Sequence, residues 1–567
     1  MIWTLVIAAA IFLAVFLLAV LNSERPLADM FGMAAVIGLI GAICCLVVVC
    51  LVWPMLRWLF WKHWRRTLFA LACFVTLIAL FYAEEDWRGW HAWNNFKHEW
   101  EAKGEKFNFA DFVPPPVPDD QNSALSPIVF TSYGQFLTRE GKGIPCQQRD
   151  ANFVNRLKME VVHNYEDSPK DGNWQIARIS NLKTWRDYYR ALAATTNEFP
   201  VAPQLQSPAA DVLLALSKYD PAIEELRQAN QLTDSRFPLN YDIENPAEIL
   251  LPHLAILKQC SLTLQLRAIA ELQNGQSEQA FDDVKLALRL AGSVRTGPFI
   301  ITHLVRIAIL QITLQPVWEG LAEHKWSDAQ LAELDSELSK LDFLADYEFS
   351  VRSERAAHIK IVDWMERKRS RFGELFNMID NDYKKTMNNF GLSVEIYLMP
   401  KGWYYQSEIV LSKVQQQWGL PMVNDPQQTV SPQSARESVD AVGSLRPTGV
   451  NLFARLLLPE LGKYAERTAY GQNAANLARV AIALERYRLA HGEFPELLDA
   501  LAPQFVEKIP HDIIGGQPLH YRCTPDGQFV LYSIGWNERD DGGTVGLKND
   551  GSVDNNTGDW VWRYPQK

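Results

Sequence analysis

TLFALACFVTLIALFYA, residues 67–83, is a run of 17 uncharged residues, and the charges flanking it decide how the rest of the chain is organised. Before it stand Arg57, Lys62, Arg65 and Arg66; after it come Glu84, Glu85 and Asp86. At about 1.5 Å per residue such a helix just spans a hydrocarbon core of about 30 Å. Basic residues are held on the cytoplasmic side, so the run is expected to cross outward. Were it to lie in the interface instead, all that follows would face the cytoplasm. Two more uncharged runs precede it, Ile2–Leu21 and Met30–Trp53. A secretory signal peptide is the alternative for the first. Met1-Ile2-Trp3-Thr4 offers no basic n-region, and the apolar stretch is too long for one. Residues 1–83 are therefore expected to form three transmembrane helices, N-terminus in and C-terminus out. Trp53, Trp58, Trp61 and Trp64 mark the inner boundary and Trp87, Trp90 and Trp93 the outer one, depths that amphipathic indoles prefer.

Composition narrows the function. The 567 residues carry a net charge of −11, which argues against nucleic acid, whose binding is dominated by Lys and Arg neutralising phosphates. Hydrophobic residues at 48% leave enough for a sizeable core beyond the membrane. Of seven cysteines, only Cys146, Cys260 and Cys523 lie outside the apolar runs, so one disulfide at most can form there. No GxSxG, HExxH, P-loop or GxGxxG occurs, and His98-Glu99 lacks the second His of a zinc helix. His303 and His358 fall within apolar helical patterns and are expected to be core residues. A site assembled from distant residues stays open, because triads are spatial.

Beyond the membrane, residues 84–120 hold two features. Aromatics at Trp87, Trp90, Trp93, Phe96 and Trp100 form a helical stripe, expected to bury on its own domain. Val113-Pro114-Pro115-Pro116-Val117-Pro118 must be extended and reads as a stiff spacer. Residues 121–414 read as a mainly helical body, with Phe153–Val161 and Leu182–Thr195 among its expected helices. Leu262, Leu266, Ile269 and Leu272 hold one face; after Asn274-Gly275-Gln276, Ala280, Val284, Ala287, Leu288 and Ala291 hold a second. That hairpin resembles one tetratricopeptide-like unit, though no fixed period recurs. Ser327-Asp328-Ala329-Gln330 is a capping-box pattern. Glu366–Arg371 reads as a basic, solvated helix face. Residues 415–449, rich in Gln, Ser and Pro, read as a linker.

Residues 450–567 form the last module. Leu477, Val480, Ala481, Leu484, Tyr487 and Arg488 mark an amphipathic helix ending near His491. Strand-like runs at 519–523 and 528–533 flank the turn Pro525-Asp526-Gly527. The ordered series of this helix, GEFPELLDAL (492–501), IPHDIIGGQPLHY (509–521), FVLYSIG (529–535), DDGG (540–543) and GDWVW (558–562) resembles the globular domain of the type II secretion major pseudopilin. The likeness covers about residues 463–565. No basic leader, processing site or Glu-bearing hydrophobic helix directly precedes the module, so polymerisation is not expected. The chain as a whole resembles a group of large bacterial multi-span membrane proteins.

The resemblance implies calcium in the loop after Tyr532-Ser533-Ile534-Gly535. Asn537 stands where the family has Asp; Asp540, Asp541 and Asp559 follow, with the Ile534 carbonyl as a further ligand. Hard cations take such carboxylate and carbonyl oxygens from Gly-rich loops. A solvated acidic loop held by Asn and Asp turns is the alternative. Asp512 is expected to cap a loop and not to catalyse.

The expected protein is thus multi-domain and mainly α, with an α+β pseudopilin-like end. It is expected in the bacterial inner (cytoplasmic) membrane, with its bulk extracytoplasmic. Its expected job is that of a non-catalytic scaffold or interaction protein, in contact with the lipid bilayer and a protein partner. A component or regulator of a type II secretion or pilus-like system, and an extracytoplasmic hydrolase, are the alternatives.

Overall fold

A computed structural model describes residues 53–133, 138–139, 142–143, 156–162, 169, 172–196, 198–371, 396–446, 448–458 and 461–565. The run Ile2–Leu21, all but the last residue of Met30–Trp53, and Cys146 lie outside the described residues. The chain divides into two compact units, Met1–Trp87 and Arg88–Lys567. Helix α1 (Trp53–Glu101) begins in the first and ends in the second. Its stretch from Trp64 is long and apolar enough to cross a membrane. There Leu68, Phe69, Phe74, Leu77 and Leu80 are all exposed. A helix apolar on every face suits lipid. Among the described residues, Ile300–Ala322 is also long and apolar enough, but it is mostly buried within the second unit.

In the second unit, the described helices run in order α2 (Pro127–Tyr133), α3 (Leu182–Ala193), α4 (Pro208–Leu216), α5 (Asp220–Ala229), α6 (Pro252–Gln273), α7 (Ser277–Ser293), α8 (Ile300–Ala322), α9 (Asp328–Ser339), α10 (Phe343–Arg367), α11 (Lys401–Val414), α12 (Pro432–Gly443), α13 (Gly449–Leu457) and α14 (Leu461–His491). The α6–α7 hairpin turns at Gly275, whose φ of 78° a side chain would resist. Its second face buries Ala280, Val284, Ala287, Leu288 and Ala291 as the sequence pattern requires. The α9 capping box forms in full: Ser327 Oγ accepts from Gln330 N at 3.3 Å, and Gln330 Oε1 accepts from Ser327 N at 2.9 Å.

Three readings of the sequence are corrected. Arg156–Glu160, the described part of the helix expected at 153–161, is a turn and an extended segment. Its apolar residues alternate, with Leu157 and Met159 buried, and their carbonyls accept from Cys260 Sγ and Thr263 Oγ1 of α6. The linker expected at 415–449 is packed structure instead. It holds a π-turn (Gln415–Gly419), α12, and a two-stranded antiparallel ribbon, Val423–Asn424 with Thr429–Val430. Leu420, Met422, Val423, Val430 and Ala435 of this segment are buried, and Ser431 caps α12. The basic run at 366–371 is not simply solvated: Arg369 donates to the Met399 carbonyl at 2.6 Å and lies over the Tyr404 ring.

The aromatic stripe is buried only in part. Trp93, Phe96 and Trp100 pack with Phe107, Ile359 and Ile409, whereas Trp87 and Trp90 stay exposed. The proline segment lies along the body, where the Pro114 carbonyl accepts from Arg236 Nε at 2.9 Å.

Strands β1 (Thr138–Arg139) and β2 (Lys142–Gly143) make a small ribbon; β3 and β4 are the 423–430 ribbon already given. At the C-terminal end, β5 (His520–Cys523), β6 (Phe529–Ser533) and β9 (Trp560–Arg563) form an antiparallel sheet in the order β5-β6-β9. A second ribbon pairs β7 (Val545–Leu547) with β8 (Val553–Gly558). Helix α14 packs against β6 and β9 on one side and against α8, α9, α10 and α12 on others. It is therefore buried well beyond one face: Ala465, Ala469, Ala475, Ala478 and Ile482 are all enclosed. Body and C-terminal strands share one core, in which Trp174 meets Trp562 at 5.3 Å and Trp318 Nε1 donates to the Arg563 carbonyl at 3.0 Å.

Candidate functional site

The loop from Ile534 to Asp559 is organised by two buried carboxylates. Asp512 is 1% exposed; its Oδ1 accepts from Ile514 N and Ser533 Oγ, each at 2.8 Å, and its Oδ2 from Ile534 N at 3.0 Å. Burial raises its pKa against the pull of these donors. It pins the loop before the sheet to the end of β6, as the sequence suggested. Asp559, also 1% exposed, accepts from Asp541 N at 3.2 Å, Gly543 N at 2.7 Å and Thr544 N at 3.3 Å. Three backbone N–H groups thus converge on one carboxylate, a cradle for negative charge.

Of the expected ion ligands, the structure gathers Asn537, Asp541 and Asp559. Asn537 Nδ2 donates to Asp541 Oδ2 at 2.8 Å. Asp540 is engaged elsewhere: its Oδ1 accepts from Gly542 N at 2.9 Å and Tyr532 Oη at 3.0 Å, and His520 lies 3.6 Å away. The Gly542 amide, then the Tyr532 hydroxyl, lower its pKa. Ile534 meets the loop through its N–H, bonded to Asp512. Among the described residues, no three His, Cys, Asp or Glu side chains are placed to hold a metal ion.

Two polar clefts open elsewhere in the second unit. One of about 420 Å³ is lined by Asp342, Gln472, Asn476, Arg479, Lys508 and His511, where the body meets the loop before the sheet. The larger, about 700 Å³, lies between the proline segment, residues 230–236, the end of α7 and Lys340. It falls in the range of ligand sites. Serines 123, 235 and 293 line it, and no histidine or cysteine among the described residues does. Its residue types therefore supply binding groups and no general base of the imidazole kind.

Sequence patterns placed His358 in the core, as found, but missed the carboxyl groups that share the interior with it. Glu354 and His358, one turn apart on α10, stand 3.6 Å from each other. Burial raises Glu354 to about 7 and depresses His358 to about 4. Glu408 of α11 is pushed well up by burial and by the neighbouring Asp363 carboxyl. Their one signal in the sequence was a charge standing where the helical period calls for an apolar residue. His324 Nδ1 lies 2.9 Å from Glu485, which Arg488 also grips at 2.7 Å. That group ties the α8–α9 turn to α14.

Compared with protein-family models, with curated proteins and with solved structures, the chain matches none.

Proposed function

We propose that the chain is a membrane-anchored scaffold or interaction protein of the bacterial inner membrane, holding its body outside the cytoplasm for a protein partner. One observation carries the reading. Helix α1 has an exposed apolar stretch over Leu68–Phe81 and, on the same helix, an aromatic stripe at Trp93–Trp100 packed into the second unit with Trp93 buried. An element of that kind is anchor and foundation at once. The second unit then offers wide clefts lined with polar binding groups. A reporter active only outside the cytoplasm, fused after Lys567, is expected to be active. Silence would overturn the topology. Photo-crosslinking in cells from exposed body positions is expected to give discrete adducts with another protein; self-adducts alone would overturn the partner.

A role beside type II secretion or pilus-like machinery is the second reading. It rests on the resemblance in sequence of residues 463–565. Neighbouring genes for secretion ATPases or prepilin peptidases support it; their consistent absence in related genomes removes it. The calcium ion belongs to this reading, at Asn537, Asp541 and Asp559. Calcium should raise the melting point of the whole chain by several degrees over chelator, since a ligand of the folded state alone stabilises it. Superimposable curves dispose of the ion.

A further inference from the structure

The larger cleft reverses the sign of the chain around it. The protein as a whole has 66 acidic and 55 basic side chains. Among the described residues, the cleft is lined by Arg236, Arg289, Arg295, Arg306 and Lys340 against Asp234 and Glu337. Asp346, behind the floor, and the capping Asp342 still leave the cations in excess. Arg306 is the unusual member. It comes from α8, is 1% exposed, and pairs with Asp346. The same carboxylate also accepts from Arg295 Nε at 3.1 Å, so two guanidiniums share one anion. Arg306 Nε, buried at the cleft, has no acceptor among the described residues. Burial and the nearby Arg295 push its pKa down to about 10. With Nε unpaired, the Asp346 ion pair offsets only part of the desolvation cost of this buried cation. Arg289 is exposed on the wall and makes no ion pair among the described residues.

We propose that this cleft binds a small ligand bearing two or more carboxylate or phosphate charges, held by Arg289 and Arg295 at the wall and Arg306 at the floor. Guanidinium forks match such oxyanions bidentately, and part-buried charge-assisted bonds are the strong ones. The volume, about 700 Å³, suits a compact polyanion. The site is independent of the scaffold reading and stands whether or not a protein partner exists.

The test is thermal melting and calorimetric titration of the full chain in detergent, with citrate and with pyrophosphate. Sodium chloride at matched ionic strength is the control. Saturable stabilisation above the salt control is expected from at least one of them. A response to citrate alone marks a carboxylate site, and to pyrophosphate alone a phosphate site. Arg289→Glu should weaken binding about ten-fold or more, the loss of one charged hydrogen-bonding partner. Arg289→Ala should weaken it less, and Arg455→Glu, an exposed charge reversal in α13, should not. Melting that follows ionic strength only, or equal affinity in Arg289→Glu and Arg455→Glu, overturns the site.

Discussion

Asp559 spends its carboxylate on the amides of Asp541, Gly543 and Thr544. Asp559→Asn keeps the shape but turns one acceptor into a donor facing N–H groups. It should cost about 2 kcal/mol, read as a shifted denaturation midpoint at unchanged slope. A loss near zero would mean that the loop is not held this way. The buried titratable groups give a second residue-scale expectation. His253, His303 and His358 are depressed by burial, His303 further by Arg306, with His253 and His358 at about 4. Unfolding lets each take a proton below its free value of 6.5. Their contribution to stability is therefore whole above pH 6.5 and lost as pH falls toward 4. Glu354 has the opposite sign. Raised from 4.5 to about 7 by burial, it releases its proton on unfolding, so its contribution is whole below pH 4.5 and lost as pH rises through 7. Glu354→Gln should thus steepen the acid loss of stability, and His358→Gln should soften it by about one proton. Denaturant titrations between pH 4.5 and 7.5 measure both slopes.

At the scale of elements, α1 and α11 meet backbone to backbone. A side chain on Gly89 would run into the Gly402 main chain, which has no rotamer to give way. Gly89→Ala should cost about 1–3 kcal/mol, by overpacking, and expose residues 87–103 to protease. Unchanged digestion kinetics would refute that close approach. How well each element could be read from the sequence follows from how it is stabilised. The α6–α7 hairpin and the α9 capping box were readable, because an apolar period, a left-handed Gly275 and a Ser-to-Gln exchange are all local. The strands on either side of Gly527 were readable for the same reason. The 415–449 segment was not. Its order comes from a handful of apolar residues meeting α14 and α10, contacts that local composition does not record. Extended residues 156–160 were misread as helix because Leu157 and Met159 bond to α6, some hundred positions away in sequence. Of the loop's layout, the sequence does not record which way its acids turn: Asp540 bonds to Tyr532, and backbone amides, invisible in a sequence, take the oxygens of Asp559.

On the scale of the whole molecule, the C-terminal residues cannot be detached from the body. Trp562 is fully buried against Trp174, Tyr470 packs edge-on to Trp560 at 5.2 Å, and Gln472 accepts from Phe343 N at 2.8 Å. Helix α14 would lose its contacts with α8, α9, α10 and α12 if cut out with the sheet. Fully burying one large apolar side chain contributes about 1.5–3 kcal/mol, and Ala465, Leu477, Val480 and Ile482 would all lose some of that together. Net domain stability is only about 5–15 kcal/mol. A fragment of residues 463–567 should therefore fail to fold, giving collapsed amide dispersion in NMR and no cooperative melt. Residues 88–567 should fold with one transition in both far- and near-ultraviolet circular dichroism. Removal of 559–567 should abolish that transition, although it deletes no residue of the helical body. A fragment 463–567 that melts cooperatively would contradict a shared core and restore an autonomous C-terminal domain. If the core is shared, a ligand or partner engaging the Asp559 loop acts on the same cooperative unit as one in the arginine cleft. Each would then raise a single melting point by mass action.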